Sequence, residues 1–212
     1  SFEVVDGQLK LKAGVSANFE TKSSYSVTVT STDSGGLTVT ESFTVTINDI
    51  NDSPVATAIT DQSNDEDSAF SFTVPSNTFS DEDGDTLTYS ATLEDGSALP
   101  SWLTFDAATQ TFSGTPLNDN VGTISVTVTA SDGSLTASDT FTLTVVNTND
   151  DPTAVSLSAT AIDENADGAV VGTLSSTDVD AGETFAYALS GADADSFEVV
   201  DGQLKLKAGV SA

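Results

Sequence analysis

Phe43-Thr44-Val45-Thr46-Ile47-Asn48-Asp49-Ile50-Asn51-Asp52-Ser53-Pro54 decides how the chain is read, together with its echo Phe141-Thr142-Leu143-Thr144-Val145-Val146-Asn147-Thr148-Asn149-Asp150-Asp151-Pro152. In each stretch apolar residues alternate with threonine at period two, the pattern of a strand with one buried face. The strand then runs into amides and carboxylates and ends at a proline, which fixes φ and stiffens the exit. Each stretch is therefore a junction where one unit stops and the next begins. Taken singly, Asn-Asp-x-Pro is ordinary turn chemistry; two copies at matched positions point to a cation site. Oxygen-only donors suit Ca²⁺, which takes about 6–8 of them in irregular geometry. Zinc or copper would want His or Cys, and the chain has neither.

Composition agrees with a cation-dependent β protein. With 212 residues the chain has room for two ordinary domains, each large enough for its own core. Formal net charge is −28, and Lys10, Lys12, Lys22, Lys205 and Lys207 are the only cationic side chains. Self-repulsion of that size calls for bound cations or high salt, and it makes nucleic acid and anionic membranes poor partners. No apolar run approaches the length of a bilayer span and no signal-like segment is present, so any secretion address is expected outside residues 1–212. Without cysteine, an exported protein needs another staple, and calcium would serve. Abundant Thr, Ser, Val and Asp argue for many short strands rather than helices. The regular alternation and spaced aromatics argue against disorder.

Two periods are present. Residues 1–17, SFEVVDGQLKLKAGVSA, recur letter for letter as residues 196–212, a spacing of 195. Identity of that length implies a tandem array. A weaker period near 98 places Asp49, Asn51, Asp52 and Pro54 on Asn147, Asn149, Asp150 and Pro152, and Phe43, Val45 and Ile47 on Phe141, Leu143 and Val145. Glu66 falls on Glu164, Asp81 and Asp83 on Asp178 and Asp180, Glu20 on Asp119, and Asp33 on Asp132 within a residue of the same spacing. The expected organisation is the C-terminal half of one domain (1–50), a complete domain (51–148) and the N-terminal half of the next (149–212). An isolated half sandwich would expose its core and strand edges, so the halves are expected to continue in a longer periodic chain or to close between neighbouring molecules.

Further period-two runs, Tyr25-Ser26-Val27-Thr28-Val29 and Ile124-Ser125-Val126-Thr127-Val128, are separated from the junction strands by Asp33-Ser34-Gly35-Gly36 and Ser131-Asp132-Gly133-Ser134. Alternating strands joined by glycine-rich breaks are the signature of antiparallel sandwiches. The expected fold class is all-β, in tandem immunoglobulin-like sandwiches with no significant helix.

Glu164-Asn165, Asp178-x-Asp180, Asn18-Phe19-Glu20, Asp33 at the end of its strand, and Asp49-x-Asn51-Asp52-x-Pro54 together resemble the cadherin repeat. Phe79-Ser80-Asp81-Glu82-Asp83-Gly84-Asp85, Leu99-Pro100-Ser101-Trp102-Leu103 and Phe112-Ser113-Gly114-Thr115-Pro116 resemble the dystroglycan-type cadherin-like domain. Alternation of the two is similar to large bacterial surface and biofilm proteins. The sequence departs from the cadherin pattern at Asn18, where an acidic residue is usual, and in a first linker one residue shorter than the commonest form. The resemblance implies several Ca²⁺ ions at each junction. At the first, the ligands would be Glu20, Asp49, Asn51, Asp52, Asp81, Asp83 and Asp132, with Ile50 in the place of Thr148. At the second they would be Glu66, Asp119, Asn147, the Thr148 carbonyl, Asn149, Asp150, Asp178 and Asp180. Asp33 and Glu164 would serve the flanking junctions of adjacent copies.

The resemblance further implies a non-catalytic, extracellular role at a bacterial surface: a calcium-stiffened spacer or adhesion array whose partners are adjacent copies of the same repeat. A calcium-dependent carbohydrate-binding module, with polysaccharide as ligand, is the alternative, and a fibre-forming polymer with domains completed between copies is a third reading. Carboxylates about 5 Å apart repel by roughly 3 kcal/mol per pair at an effective dielectric near 20, so a cation-free junction is expected to splay. Trp102 sits in an apolar alternation and reads as core rather than as a sugar platform. The threonine rows read as solvent-facing strand residues, and no residue pattern marks a catalytic acid with its own apolar pocket.

Overall fold

A computed structural model describes residues 1–210; Ser211 and Ala212, the last letters of the repeated stretch and of the expected 149–212 half domain, lie outside the described residues. The chain is all-β. Its strands are β1 (Phe2–Val5), β2 (Gln8–Leu11), β3 (Ser24–Thr32), β4 (Thr38–Thr46), β5 (Val55–Ala56), β6 (Gln62–Asp65), β7 (Phe70–Thr73), β8 (Phe79–Ser80), β9 (Thr88–Leu93), β10 (Leu103–Asp106), β11 (Thr111–Gly114), β12 (Gly122–Ser131), β13 (Thr136–Val146), β14 (Ala154–Leu157), β15 (Val170–Thr177), β16 (Phe197–Val200) and β17 (Gln203–Leu206). Among the described residues the only helical elements are two single 3-10 turns, Asn118–Asn120 and Ala194–Ser196.

The chain divides into two compact units. Unit 1 holds residues 1–62, 71–114 and 124–143. Here the period-two runs behave as their chemistry demands: Val126, Val128 and Ala130 on β12 and Phe141 and Leu143 on β13 are all buried, with polar residues between them. β12 lies between β13 and β9 in one sheet, and β10, β11 and β7 form another. Phe112 is the centre of the core, with the rings of Phe105, Phe141 and Phe72 at 4.6, 5.6 and 6.4 Å. Trp102 is half-buried, its backbone carbonyl lying where a Cβ on Gly114 would be placed, so the β11 backbone passes close beneath it. The threonine rows zip neighbouring strands together, through Thr127 and Thr140 at 2.8 Å and Thr28 and Ser42 at 2.9 Å.

Also in unit 1, β1 and β2 form a two-stranded hairpin, as do β3 and β4. Tyr25, Val27 and Val29 on β3 are half-buried, but Val39 and Phe43 on β4 are exposed. The alternation on β4 therefore places Val39 and Phe43 together on one apolar face. Unit 2 holds residues 63–70, 115–123 and 144 onward, and its sheet runs β14-β15-β17-β16 with antiparallel neighbours throughout. Leu206 on β17 is its buried apolar anchor.

Candidate metal centre

The two junctions fold alike, each within its own unit. After Thr46 and after Val146 the chain leaves its strand, and the carboxylates of the following loop turn back on the linker backbone. At the first junction, Asp52 N–H donates to Asp83 Oδ2 at 2.7 Å, Asp83 N–H donates to Asp81 Oδ1 at 3.0 Å, and the Asn51 amide donates to the Asp52 carbonyl at 3.0 Å. At the second, Asp150 N–H donates to Asp180 Oδ2 at 2.7 Å, Asp180 N–H to Asp178 Oδ1 at 3.0 Å, and the Asn149 amide to the Asp150 carbonyl at 3.0 Å. Backbone amides aimed at carboxylates hold them in place.

Around this shared frame the carboxylates converge. Oxygens of Glu20, Asp49 and Asp83 lie within 4.8 Å of one another, as do those of Asp81, Asp83 and Asp85, and in unit 2 those of Glu66, Asp150 and Asp180. Glu66 is 1% exposed and Asp180 7%. Glu66 Oε1 accepts Thr148 N–H at 2.9 Å, while Glu66 N–H donates to the Val146 carbonyl at 3.0 Å. The other oxygen, Glu66 Oε2, is buried and accepts no hydrogen bond, and the same holds for Asp81 Oδ2 and Asp83 Oδ1. A buried, ionised oxygen without a donor is costly unless a cation faces it. Two oxygens on one Ca²⁺ at bond lengths of about 2.3–2.6 Å lie up to about 5 Å apart, so the clusters fit that ion, and the all-oxygen donor set fits no softer metal.

Electrostatics in unit 1 carry the mark of like charges held together. For Glu20, its own backbone N–H favours the ionised form, but loss of water and the Asp83 and Asp49 charges outweigh it and raise the pKa above the ordinary glutamate value. Asp52 is raised by loss of water first and then by Asp83, Glu82, Asp49 and Asp81. Asp132 is lowered, by the backbone N–H of Leu135, the Asn51 amide and the backbone N–H of Ser134. The Asn51 amide reaches Asp132 Oδ2 at 3.0 Å and so ties the β12–β13 turn to the linker.

Of the residues singled out in the sequence, Glu20, Asp49, Asp81 and Asp83 come together at the first junction, and Glu66, Asp150 and Asp180 at the second. Asp52, Asp132, Asn147, Asn149, Thr148 and Asp178 join them through hydrogen bonds. Ile50 is exposed, and the Thr148 carbonyl accepts the Asn147 amide at 3.2 Å. Asp33 stays in the β3–β4 turn, accepting Leu37 N–H at 2.8 Å. Asp119 and Glu164 are exposed and, among the described residues, neither belongs to a carboxylate cluster; the Asn118 amide beside Asp119 reaches Asp150 instead. Asp85, not among the residues singled out in the sequence, lies with Asp81 and Asp83. Asn18, the departure from the cadherin pattern, donates to Glu82 at 2.8 Å and accepts Thr21 N–H at 2.6 Å, so it caps a turn.

Comparison with known proteins bears on the fold. Residues 53–146 match the family model "Putative Ig domain" (He_PIG). No curated protein matches the chain. Among solved structures, the protocadherin gammaB7 EC3-6 cis-dimer structure is similar over 99% of this chain and 57% of that one, at 16% identity and TM-score 0.55. Human mucin-like protocadherin EC1-2 is similar over 69% of this chain and 78% of that one, at 21% identity and TM-score 0.45. The endo-fucoidan hydrolase MfFcnA4 from glycoside hydrolase family 107 is similar over 59% of this chain, at 25% identity and TM-score 0.38, and this chain spans 19% of its length. The family model and the protocadherin gammaB7 likeness show an immunoglobulin- and cadherin-like fold.

Proposed function

We propose that this chain is a calcium-stiffened segment of an extracellular adhesion-type repeat protein, built to extend and hold rather than to catalyse, at a bacterial surface or in a biofilm matrix. We divide it as residues 1–50, 51–148 and 149–212, with one cation centre at each division. The observation that carries the reading is Glu66: a carboxylate 1% exposed, with Oε2 unpartnered, facing Asp150 and Asp180. Burying that charge for structure alone is unfavourable, since a neutral side chain would fill the space at lower cost. Its position makes sense as part of a cation shell.

In the first centre Glu20, Asp49, Asp81, Asp83 and Asp85 would hold calcium; in the second, Glu66, Asp150, Asp178 and Asp180. Bound calcium supplies the positive charge that turns mutual repulsion among these groups into cohesion. The chain's own groups do the rest: the Asp83 and Asp180 carboxylates grip the linker through Asp52 and Asp150 N–H, and Glu66 grips it through Thr148 N–H. Each linker is thereby tied to loops that lie far from it in sequence, and the number of directions it can take falls. Adjacent copies of the repeat are the natural partners of such a spacer.

Calcium titration by calorimetry, paired with small-angle scattering on the full chain, tests the proposal. Saturable binding with an increase in the longest particle dimension is the expected result. Absence of binding at millimolar calcium would overturn it.

A further inference from the structure

β9 ends its sheet: β12 pairs along one side of it, and no strand lies along the other. It sits mid-chain, between β6 and β12 of the same sheet. Glu94 N–H donates to the Ser125 carbonyl at 3.1 Å, which sets the phase of the ladder. Thr92, Ser90 and Thr88 therefore bond to β12, while Tyr89, Ala91 and Leu93 turn their backbone groups outward. Leu93 is already used, its N–H donating to the Ser97 carbonyl and its carbonyl accepting Gly96 N–H, both at 2.9 Å. Four groups remain, the N–H and C=O of Tyr89 and of Ala91, and none has a partner among the described residues.

Sheets guard such an edge with lysine, proline, a bulge or shortness. β6, β7 and β10, the other edge strands of the two sheets, are four residues long; β9 is six. Its letters, Thr-Tyr-Ser-Ala-Thr-Leu, hold no charge and no proline, and it follows β12 through six pairs without a break in register. The absence of charge continues inward across the outer face. Thr92 stands beside Thr127, which shares a 2.8 Å hydrogen bond with Thr140, and Ser90 stands beside Thr129. In a chain of net charge −28, this is a side from which a second copy is little repelled.

We propose that two copies of this chain pair side by side through β9, antiparallel about a two-fold axis at Ser90. In that register Tyr89 N–H donates to the Ala91 carbonyl of the second copy and Ala91 N–H to its Tyr89 carbonyl. Symmetry repeats both bonds, so all four free groups are used. Side chains agree with the register: the large Tyr89 stands opposite the small Ala91, and on the outer face Ser90 meets Ser90 and Thr88 meets Thr92, extending the hydroxyl rows. Leu87, just before β9, comes up to Leu93 of the second copy, which with Ile124 lines an open cleft of about 340 Å³. The two Glu94 side chains end about 27 Å apart, beyond the reach of charge at physiological salt. Asp95 comes nearest Asp85 of the second copy, so the pairing tightens as salt screens them. The contact joins like to like and closes at a dimer. So short a seam buries less than the roughly 1,200 Å² of a stable interface, and one contact is therefore weak. Repeats joined in tandem, as the 195-residue spacing implies, would multiply it. The pairing draws nothing from the cation centres and stands or falls separately from them.

Sedimentation equilibrium of the 212-residue chain up to millimolar concentration tests this, in chelator at high salt, where repulsion is screened and calcium plays no part. The wild-type chain is expected to approach a dimer and go no further. Ala91→Pro deletes an N–H that points away from β12, so it leaves the internal ladder whole and is expected to weaken association at least about tenfold, a difference of roughly 1.4 kcal/mol. Should proline disturb the fold, Ser90→Cys decides, since the chain has no other cysteine and the two-fold axis brings the thiols within disulfide reach. In oxidised glutathione it is expected to form a linked dimer at least about ten times faster than Ser138→Cys, an exposed position on the outer face of β13 and away from the edge. A monomer at every concentration, a folded Ala91→Pro chain that associates like the wild type, or equal crosslinking rates would each overturn the proposal.

Discussion

Asn147 donates its side-chain amide to Asp180 Oδ1 at 2.8 Å, a bond that the first junction cannot make because Asp49 stands at the matching position. The consequence is visible at Asp83 Oδ1, the counterpart of the Asp180 atom, which is buried with no donor. One amide-to-carboxylate difference thus separates a junction with its own internal neutral partner from one crowded with charge.

Asp49→Asn is therefore expected to stabilise the calcium-free chain, by about 1 kcal/mol if the new amide reaches Asp83, and to weaken calcium binding at that junction. Asn147→Asp is expected to do the reverse at the second. Urea unfolding in chelator, beside calcium calorimetry of each variant, reads both effects; movement of stability and affinity in the same direction would refute the assignment.

Glu66→Gln keeps the shape of the side chain and leaves an oxygen for Thr148 N–H, but removes the buried charge. Without calcium the variant should be as stable as the wild type or more so, since an unpaired buried carboxylate is itself a cost. With calcium the wild type should pull ahead: a ligand at 100 times its dissociation constant stabilises by about 2.7 kcal/mol, and the variant should forfeit most of that share at the second junction. Melting curves with and without calcium measure the difference.

The carboxylates divide by the direction of their pKa shifts, and the pH response follows. Glu20 and Asp52 lie above their ordinary values of 4.5 and 3.8, Glu20 because its own backbone N–H is outweighed by lost water, Asp83 and Asp49 together, Asp52 chiefly through lost water. A raised pKa contributes stability that is fully present below the ordinary value and is lost as pH climbs through the folded-state value. Asp95, Asp106 and Asp132 lie below 3.8, held there by Ser97, by the Ala108 and Thr109 N–H groups, and by Leu135 with Asn51. Their contribution is complete above the ordinary value and is lost as pH falls through the lowered one. In chelator the melting temperature should accordingly rise as pH drops from neutrality toward 4.5 and fall again below 3.8. Calcium should flatten the upper part of that curve, because protons and the ion compete for Glu20 and Asp52.

Much of this was legible in the letters. The alternation Phe141, Leu143, Val145 named three buried positions, and the echo of Asp81 and Asp83 in Asp178 and Asp180 foretold loops with the same backbone bonds. Legibility ended where a residue's surroundings depend on chain that is remote in sequence. Alternation on β4 marks Val39 and Phe43 as one face, but it carries no information on how far that face is covered, and both are exposed. Asp119 matched Glu20 by spacing, yet the 3-10 turn at Asn118–Asn120 sends the amide of Asn118 to Asp150 and leaves Asp119 outward. A shift of one residue in a tight turn reverses which side chain faces in, and spacing alone does not resolve it.

Phe112 offers the control that separates core from junction. It is fully buried and touches the rings of Phe72, Phe105 and Phe141, so truncation removes the piece that all three pack against. Phe112→Ala should cost about 3–5 kcal/mol, the range for a large aromatic whose cavity closes only in part. Nothing in that loss involves carboxylates, so the stabilisation gained from calcium should survive wherever the variant remains folded. Urea midpoints of wild type and variant, each with and without the ion, form a double cycle in which the two effects add. A calcium increment that vanished with Phe112 would mean that the acidic centres are held in place by this core, and not by the linker hydrogen bonds that the two junctions share.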